Sequence, residues 1–157
     1  MDSIDRKRRT ARCIGWMLSI CLALAVITLG CSGRGSKPPT VKLHGKVSYQ
    51  GQPVSQGTVT FQPTKPAEGY PFRPATGVLN TDGTYELSTF DKGDGAIPGE
   101  YQVMIVSLTS GPTPETPNAP EVWAVPKKYG NSVQSPLKVA VPAEQRGPLE
   151  MDFTLEN

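Results

Sequence analysis

The residues that decide the fold are TDGTYELSTFDKGDGAIPGEYQVMIVSL, positions 81–108. The pair Asp82-Gly83 predicts a tight hairpin turn, because these residues readily supply the positive φ angles that such a turn requires. Positions 84–88 then alternate between polar and apolar residues, which is the pattern of a strand with one buried face. Positions 100–108 are apolar on both faces through their centre, which predicts a central strand that is covered on both sides.

The same period-two alternation continues on both sides of this stretch, and no helical periodicity is sustained after residue 40. Pro-rich segments at 63–74 and 110–126 predict two loops, the second a long excursion at one end of the fold. Seven short strands, most with one apolar face, predict an all-β fold, a seven-stranded antiparallel β-sandwich. The strands outside the first stretch are predicted at 41–49, 58–62, 76–79, 137–141 and 149–155.

A basic N-terminus and an apolar run precede the predicted domain. The basic residues are Arg6 to Arg9, including Lys7, and Arg12, and the apolar run covers the 18 residues 13–30. Positive charge before an apolar segment keeps that end in the cytoplasm while the rest is translocated. As a helix the run would reach about 27 Å, slightly less than the roughly 30 Å of the hydrocarbon core. The segment therefore predicts an N-terminal hydrophobic helix that is a signal peptide or a membrane anchor.

Cys31 directly follows Gly30 at the end of the apolar run, and the sequence after it contains no further cysteine. The segment resembles the lipobox of bacterial lipoproteins, which implies a cut before Cys31 and a diacylglyceryl group on its sulfur. Thr28 and Leu29 reverse the usual lipobox order, so an uncleaved helix anchor and ordinary cleavage with release remain alternatives. The predicted organisation is a lipoprotein signal peptide at 1–30, a flexible tether at 31–40 and a β-sandwich domain at 41–157.

Glycine and proline set the turns, and tyrosine stands near strand starts, in DGTYEL at 82–87 and GDGAIPGEYQV at 93–103. GKV at 45–47, GQPV at 51–54 and GTVTF at 57–61 precede these blocks. In this order the blocks resemble the carboxypeptidase regulatory-like, or transthyretin-like, domains common in bacterial exported lipoproteins. The resemblance implies a prealbumin-like (immunoglobulin-like) sandwich that serves as a structural or binding accessory, and it implies no reaction.

The titratable residues argue against catalysis, and we predict that the protein is not an enzyme. His44 is the only histidine, and the alternation turns it away from the apolar face. Transthyretin-like enzymes that hydrolyse 5-hydroxyisourate need several histidines and a C-terminal Tyr-Arg-Gly-Ser, whereas this chain ends Asp-Phe-Thr-Leu-Glu-Asn. One histidine and no paired cysteines cannot make a zinc cluster. Asp82, Asp91 and Asp94 suit either calcium or ordinary turns, and we favour turns, so no metal or cofactor is predicted.

Four aromatic residues on the two Pro-rich segments or just after them are the candidate ligand contacts: Trp123, Tyr129, Tyr70 and Phe72. Exposed aromatic side chains on the loops of a sandwich suit sugars or peptides, because a flat ring buries much area at little entropic cost. The alternative is that these rings plug the open end of the sandwich, and we favour this alternative.

The charge of the exported part gives no evidence for nucleic-acid binding, and no nucleic-acid partner is predicted. From Cys31 onward the chain carries eleven of its sixteen Lys and Arg and twelve of its fourteen Asp and Glu, which gives a net charge of −1. The predicted function is a non-catalytic, membrane-attached lipoprotein of the cell envelope whose extracytoplasmic domain is a structural or binding module. Predicted partners are the membrane, through the lipid or the helix, and an envelope protein or a glycan. The alternative function is a cell-surface adhesion or carbohydrate-binding domain that uses the aromatic loops.

Overall fold

The computed structural model describes residues 37–157, and this part of the chain is nearly all β, as predicted. The predicted leader with its helix, and the first six residues of the tether, Cys31 included, lie outside the described residues. Within residues 37–157 the helical structure is one 3₁₀ helix, Lys127–Gly130, and no helix there is long and apolar enough to cross a membrane. The strands are β1 Leu43–Tyr49, β2 Gln52–Pro53, β3 Thr58–Pro66, β4 Ala75–Val78, β5 Thr84–Glu86, β6 Gly99–Val106, β7 Leu108–Ser110, β8 Val122–Trp123, β9 Lys138–Val141, β10 Leu149–Glu150 and β11 Phe153–Leu155.

Most of these strands form two sheets. In the first sheet β1 is central, with β5 and β2 antiparallel to it on one edge and β10 and β11 on the other. The second sheet is antiparallel throughout, in the order β4-β3-β6-β9. Strand β6 is therefore central, as its two apolar faces predict. A separate ribbon pairs β7 with β8.

The prediction of a wholly antiparallel fold is wrong for the last segment. Leu43 pairs with Leu149 and Val47 with Phe153, so β10 and β11 run parallel to β1 in one continuous register. A short irregular stretch between β10 and β11 divides the predicted last strand in two, and the described residues form eleven strands where seven were predicted. Alternation did not reveal the direction, because it reports which face is buried and not how neighbouring strands run.

Gly45 explains where the last strand is interrupted. A Cβ atom at Gly45 would lie 1.8 Å from the carbonyl oxygen of Met151, so only glycine lets that carbonyl approach β1. The hydroxyl of Tyr85 donates a hydrogen bond of 2.7 Å to the same oxygen. On the next residue, the carboxylate of Asp152 accepts a hydrogen bond of 2.7 Å from the Lys46 N–H. Side chains thus replace the backbone ladder at this point.

The buried faces of both sheets contribute to one hydrophobic core. Phe61 of the second sheet contacts Phe153 of the first, with ring centroids 6.1 Å apart. Val59 and Phe61 point inward as the alternation predicts, and His44 is exposed as predicted. The core comprises Val41, Leu43, Val47, Val54, Val59, Phe61, Ala75, Leu79, Tyr85, Leu87, Ala96, Tyr101, Val103, Ile105, Val125, Tyr129, Val141, Phe153 and Leu155.

Both predicted loops are shorter than expected. Strand β3 continues to Pro66, opposite Gly99, although a loop was predicted from Pro63. Strand β4 pairs only with positions 58–61 of β3. Beyond Phe61 that edge of β3 has no partner strand among residues 37–157, so a proline there, which lacks an N–H, costs no hydrogen bond. In the excursion 110–126, β8 pairs with β7 and Val125 is buried. That segment was predicted to lack packed structure, and the prediction is wrong for these residues.

The Asp82-Gly83 turn is present, but the strands that it connects belong to different sheets. The N–H of Asn80 donates to the carbonyl of Thr84 at 2.8 Å, and Gly83 has a φ of 81°. The carboxylate of Asp82 accepts hydrogen bonds from the Thr84 hydroxyl and N–H, which lower the pKa of Asp82. Because β4 pairs with β3 and β5 pairs with β1, the turn carries the chain from one sheet to the other.

Candidate functional site

Strand β6 separates two ends of the domain. Its first residue, Gly99, pairs with Pro66, and its last, Val106, pairs with Thr58. At about 3.3 Å per residue, the eight residues of β6 hold these ends roughly 23 Å apart. We call the end with Gly99 and loop 67–74 the proximal end, and the end with Val106 and β8 the distal end.

The structure does not bring the four candidate aromatic residues together. Tyr70 and Phe72 lie on the loop that follows Pro66, at the proximal end. Trp123 pairs with Leu108 at the distal end. These residues therefore cannot form one ligand-binding surface, and each end has to be considered by itself.

The side chain of Tyr129 is buried inside the domain. The residue is 3% exposed and belongs to the hydrophobic core. Its hydroxyl donates to the Glu156 carbonyl at 3.0 Å and accepts from the Glu156 N–H at 2.9 Å. Since the ring and the hydroxyl are both engaged, Tyr129 plugs the fold, which is the alternative that the sequence favoured, and offers little surface to a ligand.

Trp123 lines a distal cleft of about 670 Å³. Val106 and Leu108 form an aliphatic part of its lining, and Asn131 and Gln134 contribute amide groups. This volume lies within the range of small-molecule sites, which combine apolar surface with a few polar groups. We call this feature the Trp123 cleft.

A charged pair and a glycine fix the indole in the Trp123 cleft. The indole N–H donates to the carboxylate of Glu121 at 3.2 Å, and the Lys127 ammonium lies 3.5 Å from the same oxygen. Lys127 also lies 5.8 Å from the indole centroid. A Cβ at Gly130 would be 2.3 Å from the indole Cη2, so the ring packs directly against this glycine. An exposed ion pair adds little stability, and we interpret this set as one that orients the ring.

The amide groups add hydrogen-bonding capacity next to the indole. The side-chain oxygen of Asn131 accepts from the N–H groups of Val133 and Gln134, at 2.8 and 3.3 Å. This fixes the amide and leaves its NH₂ as the group that can donate to a ligand. An oriented ring beside amide donors suits a neutral polar ligand with an apolar face. Sequence reasoning found Trp123 but missed the rest of the lining, because only tertiary packing brings Asn131 and Gln134 beside it.

Asp94 organises a structural turn. Its carboxylate accepts hydrogen bonds from the N–H groups of Thr89, Phe90 and Asp91, at 2.7, 2.9 and 3.0 Å. Partial burial raises the pKa of Asp94, but these N–H donors outweigh it and hold the pKa below its ordinary value. Asp91 itself pairs with Lys37. Across residues 37–157 no three His, Asp or Glu side chains assemble into a group that could hold a metal ion.

Comparisons with known proteins give no family. No family model matches the chain, and no curated protein matches it. Among solved structures the chain is similar to a 9R-lipoxygenase from Cyanothece PCC8801, with 13% identity and a TM-score of 0.40. The similarity covers 76% of this chain but only 17% of the lipoxygenase chain. A likeness this weak carries no argument about fold or function.

Proposed function

We propose that the protein is a non-catalytic lipoprotein of the bacterial cell envelope, attached to the membrane through Cys31, whose extracytoplasmic β domain is a binding module. The anchor rests on the position of Cys31 after the apolar run, and the binding role rests on the Trp123 cleft, at the other end of β6 from the start of the described chain. Lys37 lies at the proximal end, where its ammonium contacts the Asp91 carboxylate at 2.5 Å and the N–H of Val41 donates to Ala96. An anchor before Lys37 would leave the Trp123 cleft, at the other end of β6, open to a ligand.

The proposed fold is the prealbumin-like sandwich of carboxypeptidase regulatory-like domains. Two sheets that share one core support it. If β10 and β11 count as one interrupted strand and the short β2, β7 and β8 are set aside, seven principal strands remain. The parallel pairing of the last strand with β1 is then the feature by which this domain departs from a wholly antiparallel sandwich.

The second candidate function is carbohydrate binding at the Trp123 cleft, as in an adhesion domain. The fixed indole favours it, since the apolar face of a sugar ring can stack on an aromatic ring while neighbouring amides bind its hydroxyls. The cleft has no catalytic histidine, because His44 lies on β1 and is exposed outside the cleft lining. Binding without turnover is therefore the activity that we expect here.

The lipid anchor is tested by labelling cells with an alkyne fatty acid. We expect the wild-type protein to incorporate the label and to sediment with membranes, and the Cys31→Ser variant to lose the label. Cys21→Ser is the matched control, because it removes a thiol inside the apolar run and should leave the label unchanged. Equal labelling of wild type and Cys31→Ser would contradict acylation at Cys31. Loss of label with retained sedimentation would show that the uncleaved helix alone can hold the protein.

The carbohydrate hypothesis is tested on a glycan array with the full-length protein in mild detergent. We expect Trp123→Ala to weaken binding of any retained glycan at least tenfold, because the stacking surface is lost. Phe72→Ala, which removes an exposed ring at the opposite end, should leave that affinity unchanged. Absence of any bound glycan, or equal binding by Trp123→Ala, would contradict the carbohydrate hypothesis and leave the binding-module proposal with a protein partner.

A further inference from the structure

We infer that the proximal end of the domain docks on the lipid surface, with Phe72 entering the interfacial layer and Tyr70 beside it. This inference rests on the proposed function, because it requires an anchor at Cys31 or in the apolar run before it. It assigns to two of the candidate aromatic residues a lipid partner in place of a soluble ligand.

A short chain of contacts links the start of the described chain to Phe72. Lys37 contacts the Asp91 carboxylate at 2.5 Å. The neighbouring residue Phe90 packs under the guanidinium of Arg73, 4.6 Å from its ring centroid. Phe72 directly precedes Arg73. The loop with the exposed ring is therefore next to the point at which the N-terminal segment reaches the domain.

The length of the preceding chain keeps this end close to the membrane. Lys37 follows Cys31 by six positions, and a fully extended chain gains at most about 3.6 Å per position, so roughly 22 Å is the limit. The distal end lies roughly 23 Å further along β6. An anchor at Cys31 thus holds the proximal end within reach of the lipid headgroups.

Among the large exposed hydrophobic side chains of residues 37–157, Phe72 is the one aromatic ring. Phe72 is 68% exposed and is an aromatic side chain of the kind that partitions into the membrane interface. The other large exposed hydrophobic side chains of the described chain are Val78, Val122 and Val133. Val78 pairs with Thr58, Val122 precedes Trp123, and Val133 precedes Gln134 of the Trp123 cleft, so these three lie toward the distal end.

The loop is held in place while its ring stays exposed. The N–H of Tyr70 donates to the Ala67 carbonyl at 3.0 Å, and the Ala67 N–H donates to Pro98 at 3.2 Å. The Arg73 guanidinium donates to the Thr89 carbonyl at 3.1 Å. Because Lys37 and Arg73 are engaged within the domain, we expect docking to depend on the aromatic residues more than on charge, and to occur on a zwitterionic lipid surface.

The test places a fluorescent reporter at each end of the full-length protein. Phe72→Trp and Val133→Trp are each reconstituted into phosphatidylcholine vesicles, with or without bromine on the lipid acyl chains, and the signal of the unsubstituted protein is subtracted. Bromine quenches an indole only on close approach. We expect the added fluorescence of Phe72→Trp to be blue-shifted and to fall at least twofold in brominated vesicles. The added fluorescence of Val133→Trp should not change.

Flotation of the same samples separates this inference from the proposed function. Protein that floats with the vesicles while Phe72→Trp stays unquenched overturns the docking of the proximal end and leaves the anchor intact. Equal quenching of Phe72→Trp and Val133→Trp overturns the orientation. Protein that does not float overturns the proposed membrane attachment, and the docking inference falls with it.

Discussion

Gly45→Ala is expected to lower the free energy of unfolding by about 3 kcal/mol or more. The added Cβ would lie 1.8 Å from the carbonyl oxygen of Met151 and 2.6 Å from the carbon of that carbonyl. Both atoms belong to a backbone segment that is held in place by hydrogen bonds. The Met151 carbonyl accepts from the Tyr85 hydroxyl, and the carboxylate of the next residue, Asp152, accepts from the N–H of Lys46. No side-chain rotation can relieve this collision, so the parallel strands β1, β10 and β11 must separate.

The measurement is urea denaturation of the full-length protein in mild detergent, followed by far-ultraviolet circular dichroism. Gly111→Ala is the matched control. It adds the same methyl group at a glycine without positive φ, where the nearest atom is the flexible Leu108 Cδ1 at 3.3 Å. We expect the control to stay within about 0.5 kcal/mol of wild type. A Gly45→Ala variant as stable as the control would mean that the close approach of Met151 to β1 is wrong.

This pairing also marks the limit of what the sequence predicts about the fold. Alternation identified the inward residues of β1 and β3, such as Val47 and Phe61, because burial on one face leaves a period of two. The direction of the last strand leaves no such trace, since Phe153 and Leu155 point to the core in either direction. Gly45 carried a signal, as glycine inside a strand indicates close approach of another backbone, but the sequence does not say which backbone.

For the candidate site, too, the sequence predicts local features but not the contacts between distant parts of the chain. Composition and loop position singled out four aromatic residues as candidates. Whether such a ring is buried or exposed depends on long-range contacts: Tyr129 packs in the core and its hydroxyl bonds to Glu156, whereas Phe72 is exposed. The separation of Phe72 from Trp123 along β6 depends on how β3 and β6 pair, and pairing partners are not encoded locally.

Phe61→Ala should lower the free energy of unfolding by about 3–5 kcal/mol, since it removes a fully buried ring and leaves a cavity. The ring joins both sheets, with centroids 5.8 Å from Tyr101 and 6.1 Å from Phe153. Phe72→Ala makes the same chemical change at a residue that is 68% exposed and should cost at most about 0.5 kcal/mol. Denaturation of both variants in detergent measures the difference.

On vesicles the two phenylalanine variants should affect different parts of the domain. Phe72→Ala removes the ring that we place in the lipid interface, so it should lower the protection of loop 67–74 from hydrogen exchange on vesicles while the stability in detergent is unchanged. Phe61→Ala should increase exchange throughout the core strands in both environments, because its contacts hold the sheets together. If both variants were similarly destabilised in detergent, this would contradict a buried Phe61 and an exposed Phe72. Because Phe72 is exposed and contributes little to the stability of the fold, its ring is available to contact the lipid interface.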